Sequence, residues 1–134
     1  GAINSRETLW NARLNEFRNN PIVGVGFCAI DRTSSKDENL DTRTGMVESG
    51  SSWLIILSMT GLAGVILLVP VFVRSYLTAY RDEDPFSALV CGILTLFFVH
   101  MIAEGYIFYG GSQLAFMLWL TVGVAMDCKY LIEE

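Results

Sequence analysis

The chain has 134 residues, of which 52% are hydrophobic and 17% are charged, and its formal net charge is −5. A soluble domain carries about 25% charged residues, so this composition is typical of a membrane protein. The acidic balance argues against a nucleic-acid partner, because phosphate binding needs clustered Lys and Arg. Three scattered cysteines and one histidine give neither a disulfide framework nor a metal-ligand spacing, so we expect no metal and no cofactor.

Residues 4–18 are predicted to form a short amphipathic helix within an extramembrane segment, residues 1–49. Asn4 and Glu7 have the spacing of a capping box, which favours a helix start. One apolar stripe at helical spacing consists of Trp10, Leu14 and Phe17. This stripe is the face that we expect to be buried.

An apolar run, residues 21–27, follows this helix and contains Gly24 and Gly26. Two glycines alone do not make a dinucleotide fingerprint, which needs a third glycine and a strand–helix context. A tight packed turn is therefore the better interpretation. Residues 31–49 are polar and are predicted to form a mobile loop.

The first predicted membrane span is residues 52–73, a stretch of 22 residues without a charge. At about 1.5 Å per residue it is about 33 Å long, which matches the hydrocarbon thickness of a bilayer. Ser58, Gly61 and Gly64 give this span a small-residue face suited to close helix packing. We expect any kink at Pro70, and a short charged connector over residues 74–85.

Two further spans are predicted, over about residues 86–108 and 112–131. In the second, helical geometry is expected to run past Glu104 to about Tyr109. The apolar centre of the third is short, so a re-entrant segment is the alternative there. The predicted class is thus an all-α integral membrane protein with a transmembrane part over residues 50–134. The basic residues near the spans number three on each side, so charge alone does not choose the orientation.

Four residues could meet at one membrane surface and carry chemistry. His100 and Glu104 are four apart, which places them on one helix face if the helix continues. Glu48 just precedes the first span, and Arg6 lies on the amphipathic helix, as does Arg13. Carboxylates suit deprotonation of a sugar hydroxyl, and guanidinium groups suit a phosphate. The ordinary alternatives are a helix cap at the interface for His100 and Glu104, and solvated surface positions for Arg6 and Glu48.

Three segments in order resemble the O-antigen ligase and O-antigen or exopolysaccharide polymerase family. Residues 5–13 and 20–27 resemble the family's R…W…A…P…G-x-G segment, which lies in its large periplasmic loop. Residues 48–64 resemble its next motif, a polar pair before a span that closes with Gly-Leu-x-Gly. Residues 100–120 resemble the end of exopolysaccharide polymerases of this group. The likeness covers nearly the whole chain, but only the C-terminal portion of such an enzyme.

The resemblance implies a GT-C-like, metal-independent, inverting glycosyltransferase of the bacterial inner membrane. Such an enzyme transfers a glycan from undecaprenyl pyrophosphate, whose charge is engaged by periplasmic arginines. Arg6 matches that arginine position, and Arg13 is the second candidate. The ligases carry a His where this chain has Gly50, which favours a polymerase with Glu48 as the acid/base candidate. Residues 1–49 would then be periplasmic.

The expected partners follow from this likeness: the lipid-linked glycan, the lipid bilayer and upstream transmembrane helices of the same enzyme. We expect the chain alone to be inactive, as the end of a longer multi-span protein. The alternative is a non-catalytic three-span subunit that packs against a transporter or an assembly complex, which the small-residue face also fits.

Overall fold

The computed structural model describes residues 2–27, 50–81 and 84–132, and their side chains from residue 7 to residue 127. These residues form four helices and no strand, as predicted: α1 (Ala2–Asn19), α2 (Ser52–Arg81), α3 (Pro85–Ala103) and α4 (Gln113–Ile132). The predicted polar loop over residues 31–49 and the candidate acid Glu48 lie outside the described residues.

Helices α2 and α3 are long and apolar enough to cross a membrane. In their most apolar stretches only 22% and 33% of the residues are buried inside the protein, so most of these apolar side chains face outward. The described apolar part of α4, Gln113–Asp127, is shorter than a span. The third membrane crossing therefore stays a prediction.

Helix α2 continues to Arg81, eight residues beyond the predicted span end at Val73. The prediction of a charged connector over residues 74–85 is thus wrong for residues 74–81, which are helical. Within this extension Ser75 and Ala79 lie four apart and are buried, which gives the added turns an inward face. The helix stays regular through Pro70, and its one non-helical residue is Gly61, with φ 62° and ψ −160°. The predicted kink at Pro70 is corrected accordingly.

The chain divides into two compact units. The first contains residues 1–66 and 101–105, and the second contains residues 67–100 and 106–134. In the first unit α1 runs beside the first half of α2 in the same direction. In the middle of α1 the indole N–H of Trp10 donates to Gly50 O (3.5 Å), just before α2. Just after the end of α1, Pro21 O accepts from Leu62 N of α2 (2.9 Å).

The break in α2 at Gly61 is completed by the loop that follows α1. Val25 N and Gly26 N donate to the carbonyls of Ser58 and Met59, at 2.9 and 3.0 Å. In return Leu62 N and Ala63 N donate to the carbonyls of Pro21 and Ile22, at 2.9 and 3.0 Å. A break leaves helical N–H and C=O groups without their usual partners, and this loop supplies partners for both kinds.

Gly24 and Gly61 make this close backbone approach possible. A Cβ on Gly24 would lie 2.5 Å from Met59 O, and one on Gly61 would lie 2.5 Å from Ile22 O. Both residues also have positive φ, a conformation that glycine adopts at low cost. The small residues of α2 were predicted to allow close packing of a neighbouring helix. At Gly61 the segment that packs closely is this loop.

The second unit is held by an aromatic and aliphatic core. The ring of Phe72 packs against Phe98 and Trp119, with centroid distances of 5.4 and 5.8 Å. Leu94 on α3 and Leu118 on α4 are completely buried. The indole of Trp119 also donates to Ile107 O at 3.3 Å, which ties α4 to the turn before it. This packing fixes the three helical segments of the unit.

Candidate functional site

The buried face of α1 carries charge. Leu9, Arg13 and Glu16, spaced i, i+4 and i+7, are only 5%, 7% and 2% exposed. The predicted stripe of Trp10, Leu14 and Phe17 is not this face, since Trp10 is 37% exposed and the other two are half-buried. Tertiary packing has therefore turned the helix so that an ion pair, and not the most apolar stripe, points inward.

Arg13 and Glu16 form a buried ion pair one helical turn apart. Arg13 Nη1 lies 2.9 Å from Glu16 Oε2. The Nε of Arg13 is also buried and has no hydrogen-bond partner in the part of the chain that the structure describes. A guanidinium has five N–H donors, and a buried donor without an acceptor costs free energy, so the Arg13 Nε is an unsatisfied group among the described residues.

Glu104 follows the end of α3 and is hydrogen-bonded to the first residue of α2. It belongs to the same unit as Arg13. Ser52 donates to the carbonyl of Glu104 twice, from its backbone N (3.0 Å) and from its Oγ (2.7 Å). Ser51 Oγ donates to Met101 O at 3.1 Å. These two serines are buried and cap the end of α3, while the carboxylate-bearing residue Glu104 is itself exposed.

The end of α3 differs from the prediction. The helix ends at Ala103, so the expected continuation to Tyr109 is wrong and Glu104 lies outside the helix. Ser51 and Ser52 donate to carbonyls at and just after this helix end, where carbonyls lack intrahelical partners. His100 and Glu104 therefore do not share a helix face, contrary to the prediction.

Gly50 joins α1 to the start of α2. Its φ is +69°, and a Cβ there would lie 3.3 Å from both Leu9 Cβ and Trp10 Cδ1. With the Trp10 bond to Gly50 O, this contact brings the buried face of α1, the start of α2 and the end of α3 together in the first unit. We call this convergence the α1–α2 junction.

His100 belongs to the second unit, where it is half-buried. Its ring lies beside that of Tyr106, with a centroid distance of 5.6 Å and an interplanar angle of 37°. Its Nδ1 is buried without a hydrogen-bond partner among the described residues. Tyr106 Oη donates to Phe97 O at 3.4 Å, so this tyrosine is held by α3 itself.

The structure describes the other sequence-predicted residues only in part. Arg6 lies in α1, two helical turns before Arg13, but its side chain is outside the described part, and Glu48 is outside it altogether. Sequence reasoning missed Glu16, Ser51 and Ser52. The i, i+3 spacing of Arg13 and Glu16 was the available signal for the ion pair; the two serines had none, because their partners are about 50 residues away.

The structure shows no metal-ligand cluster in residues 7–27, 50–81 and 84–127. No group of three or more His, Cys, Asp or Glu side chains comes together there that could hold a metal ion.

No family model, no curated protein and no solved structure matches this chain.

Proposed function

We propose that this chain is the C-terminal part of a membrane glycosyltransferase that polymerises or ligates polysaccharide at the periplasmic face of the bacterial inner membrane. The donor would be a glycan linked to undecaprenyl pyrophosphate. The proposal draws on the motif resemblance and on one structural observation: a nine-tenths-buried arginine with an unpartnered Nε, on the helix that also carries Arg6.

Arg13 is the residue best suited to the pyrophosphate. Its pairing with Glu16 orients the guanidinium without using its Nε–H, and a phosphate oxygen would supply the missing acceptor. Arg6, two turns away on α1, would add a second positive charge. Together they would offset the negative charge that develops on the leaving pyrophosphate, the role that a metal ion plays in other transferases.

A carboxylate would act as the general base. In the proposed reaction a sugar hydroxyl attacks the anomeric carbon, the bond to pyrophosphate breaks, and the configuration inverts. A carboxylate accepts the hydroxyl proton as the new bond forms. Glu48 is the first candidate for this base and Glu104 the second, because Glu104 lies at the α1–α2 junction. His100, the third residue that the sequence predicts for this role, belongs to the second unit.

Replacement of Arg6 tests the proposal. In cells that depend on the full-length enzyme, Arg6→Ala is expected to abolish polymer on gels while the protein level in the membrane stays normal. Arg18→Ala, at an exposed position at the end of the same helix, is the matched control and should leave polymer unchanged. Normal polymer from both variants would contradict the proposal and favour the non-catalytic subunit.

A further inference from the structure

The loop that completes α2, residues 21–27, presents two different surfaces. Its backbone faces α2 through the four hydrogen bonds at the Gly61 break. Its side chains face away: Ile22, Val23 and Phe27 are 70%, 68% and 62% exposed. Polar groups are thus turned inward and large apolar groups outward, the reverse of what an aqueous loop shows.

The composition of the surrounding chain has the same character. No charged residue occurs between Arg18 and Asp31, and residues 21–30 contain no polar side chain other than a cysteine thiol. An apolar stretch of about 10–14 residues is too short to cross a bilayer, and it is the length that re-entrant and interfacial segments use.

The position of the loop along α2 indicates its surroundings. It is bonded to residues 58–63, and the exposed side chains on the next turns of α2 are Leu62 and Ile66, at 47% and 68%. The loop therefore continues an apolar surface that α2 already presents. Within hydrocarbon, non-helical backbone is tolerated only where protein covers it, and the loop covers the Gly61 break.

We infer that residues 21–27 form a membrane-inserted loop whose Ile22 and Val23 side chains contact lipid acyl chains. The bilayer, and not a protein groove, is the partner of this surface. The inference rests on the proposed placement of α2 across the membrane, and it adds that the segment between α1 and the polar loop enters the same leaflet as the start of α2.

Spin labelling tests this inference. The native cysteines Cys28, Cys91 and Cys128 are replaced, and a nitroxide is attached to a single cysteine at Val23 in the chain reconstituted into lipid nanodiscs. Collision rates are measured with oxygen, which concentrates in hydrocarbon, and with a water-soluble nickel chelate. Ile66 serves as the lipid reference and Glu7, near the opposite end of α1 from the loop, as the aqueous reference, since both are exposed. A label at Ile22 repeats the measurement independently.

The expected oxygen-to-nickel ratio at Val23 and Ile22 is close to that at Ile66 and several-fold above that at Glu7. A ratio near that of Glu7, with Ile66 in lipid, would overturn the inserted loop and leave the span intact. Aqueous ratios at all positions, Ile66 included, would overturn both the loop and the proposed membrane crossing of α2.

Discussion

At the scale of single residues, the informative feature is an arginine buried with only part of its donors used. Burying an ion pair carries a large desolvation cost, so such pairs add little net stability. Arg13 and Glu16 lie on the inward face of a helix that has apolar residues available for that face. The pyrophosphate site that we propose would account for charge, and not Leu or Phe, at this position.

Removal of Glu16 alone should destabilise the protein. Glu16→Ala leaves the Arg13 guanidinium buried without its carboxylate, at an expected cost of about 3–5 kcal/mol. The measurement is the apparent melting temperature of the purified protein in detergent, with Glu7→Ala, an exposed acid on the same helix, as the control. An unchanged melting temperature would contradict the buried pairing.

The double variant Arg13→Met, Glu16→Leu separates stability from function. Replacing a buried pair by apolar residues of similar volume is often neutral or stabilising, so the melting temperature should return to about the parent value. Polymer formation by the full-length enzyme should nevertheless be lost, because no guanidinium remains at that position. A stable double variant that makes normal polymer would show that the pair is only structural.

At the scale of elements, the break in α2 and the loop after α1 depend on each other. The broken helix leaves N–H and C=O groups without helical partners, and the loop has no secondary structure to satisfy its own backbone groups. Four reciprocal backbone hydrogen bonds satisfy both. We therefore expect residues 21–27 and residues 58–63 to order together.

A pair of glycine substitutions tests this coupling. Gly24 and Gly26 both have positive φ, so an alanine at either costs about 1–2 kcal/mol in backbone strain. Only at Gly24 does the added Cβ also meet the backbone of α2, whereas nothing lies within 4 Å at Gly26. Gly24→Ala should lower the apparent melting temperature clearly more than Gly26→Ala. Equal losses would mean that the loop does not pack into the break.

The capping of α3 gives a second test at this scale. Ser52→Ala removes the Oγ donor to Glu104 O and should cost about 1 kcal/mol in unfolding free energy, the net value of a hydrogen bond. Thr121→Ala is the control, since its hydroxyl donates only to Met117 O, one turn back on the same helix. A loss at Ser52 no larger than at Thr121 would argue against a specific link between α2 and α3.

The elements show where sequence reasoning succeeds. The helices α2 and α3 were predictable because a long apolar stretch without charges is typical of a helix that can span a membrane. Pro70 was the expected kink by local rules, but the break occurs at Gly61, because a loop about 40 residues earlier supplies the hydrogen bonds that the break needs. The face of α1 was mispredicted for the same reason: what packs on it is not encoded in its own periodicity.

At the scale of the whole molecule, the described chain has an all-helical architecture with two helices that can cross a membrane. Four of the five candidate site residues, Arg6, Arg13, Glu48 and Glu104, come from segments that the proposed topology puts at one surface. The proposed function requires that surface to be the periplasmic one, because lipid-linked glycans are polymerised and ligated there in the family that this sequence resembles. A cytoplasmic α1 would remove the donor from its reach.

The most direct test is the sidedness of α1. Glu7→Cys, an exposed position, is introduced into the chain without its native cysteines and treated with a membrane-impermeant maleimide in cells with an intact inner membrane. Arg81→Cys, exposed at the other end of α2, is the opposite-side control. Our account predicts that the cysteine at 7 is labelled in intact cells and the one at 81 only after lysis. Labelling at 7 only after lysis would contradict it.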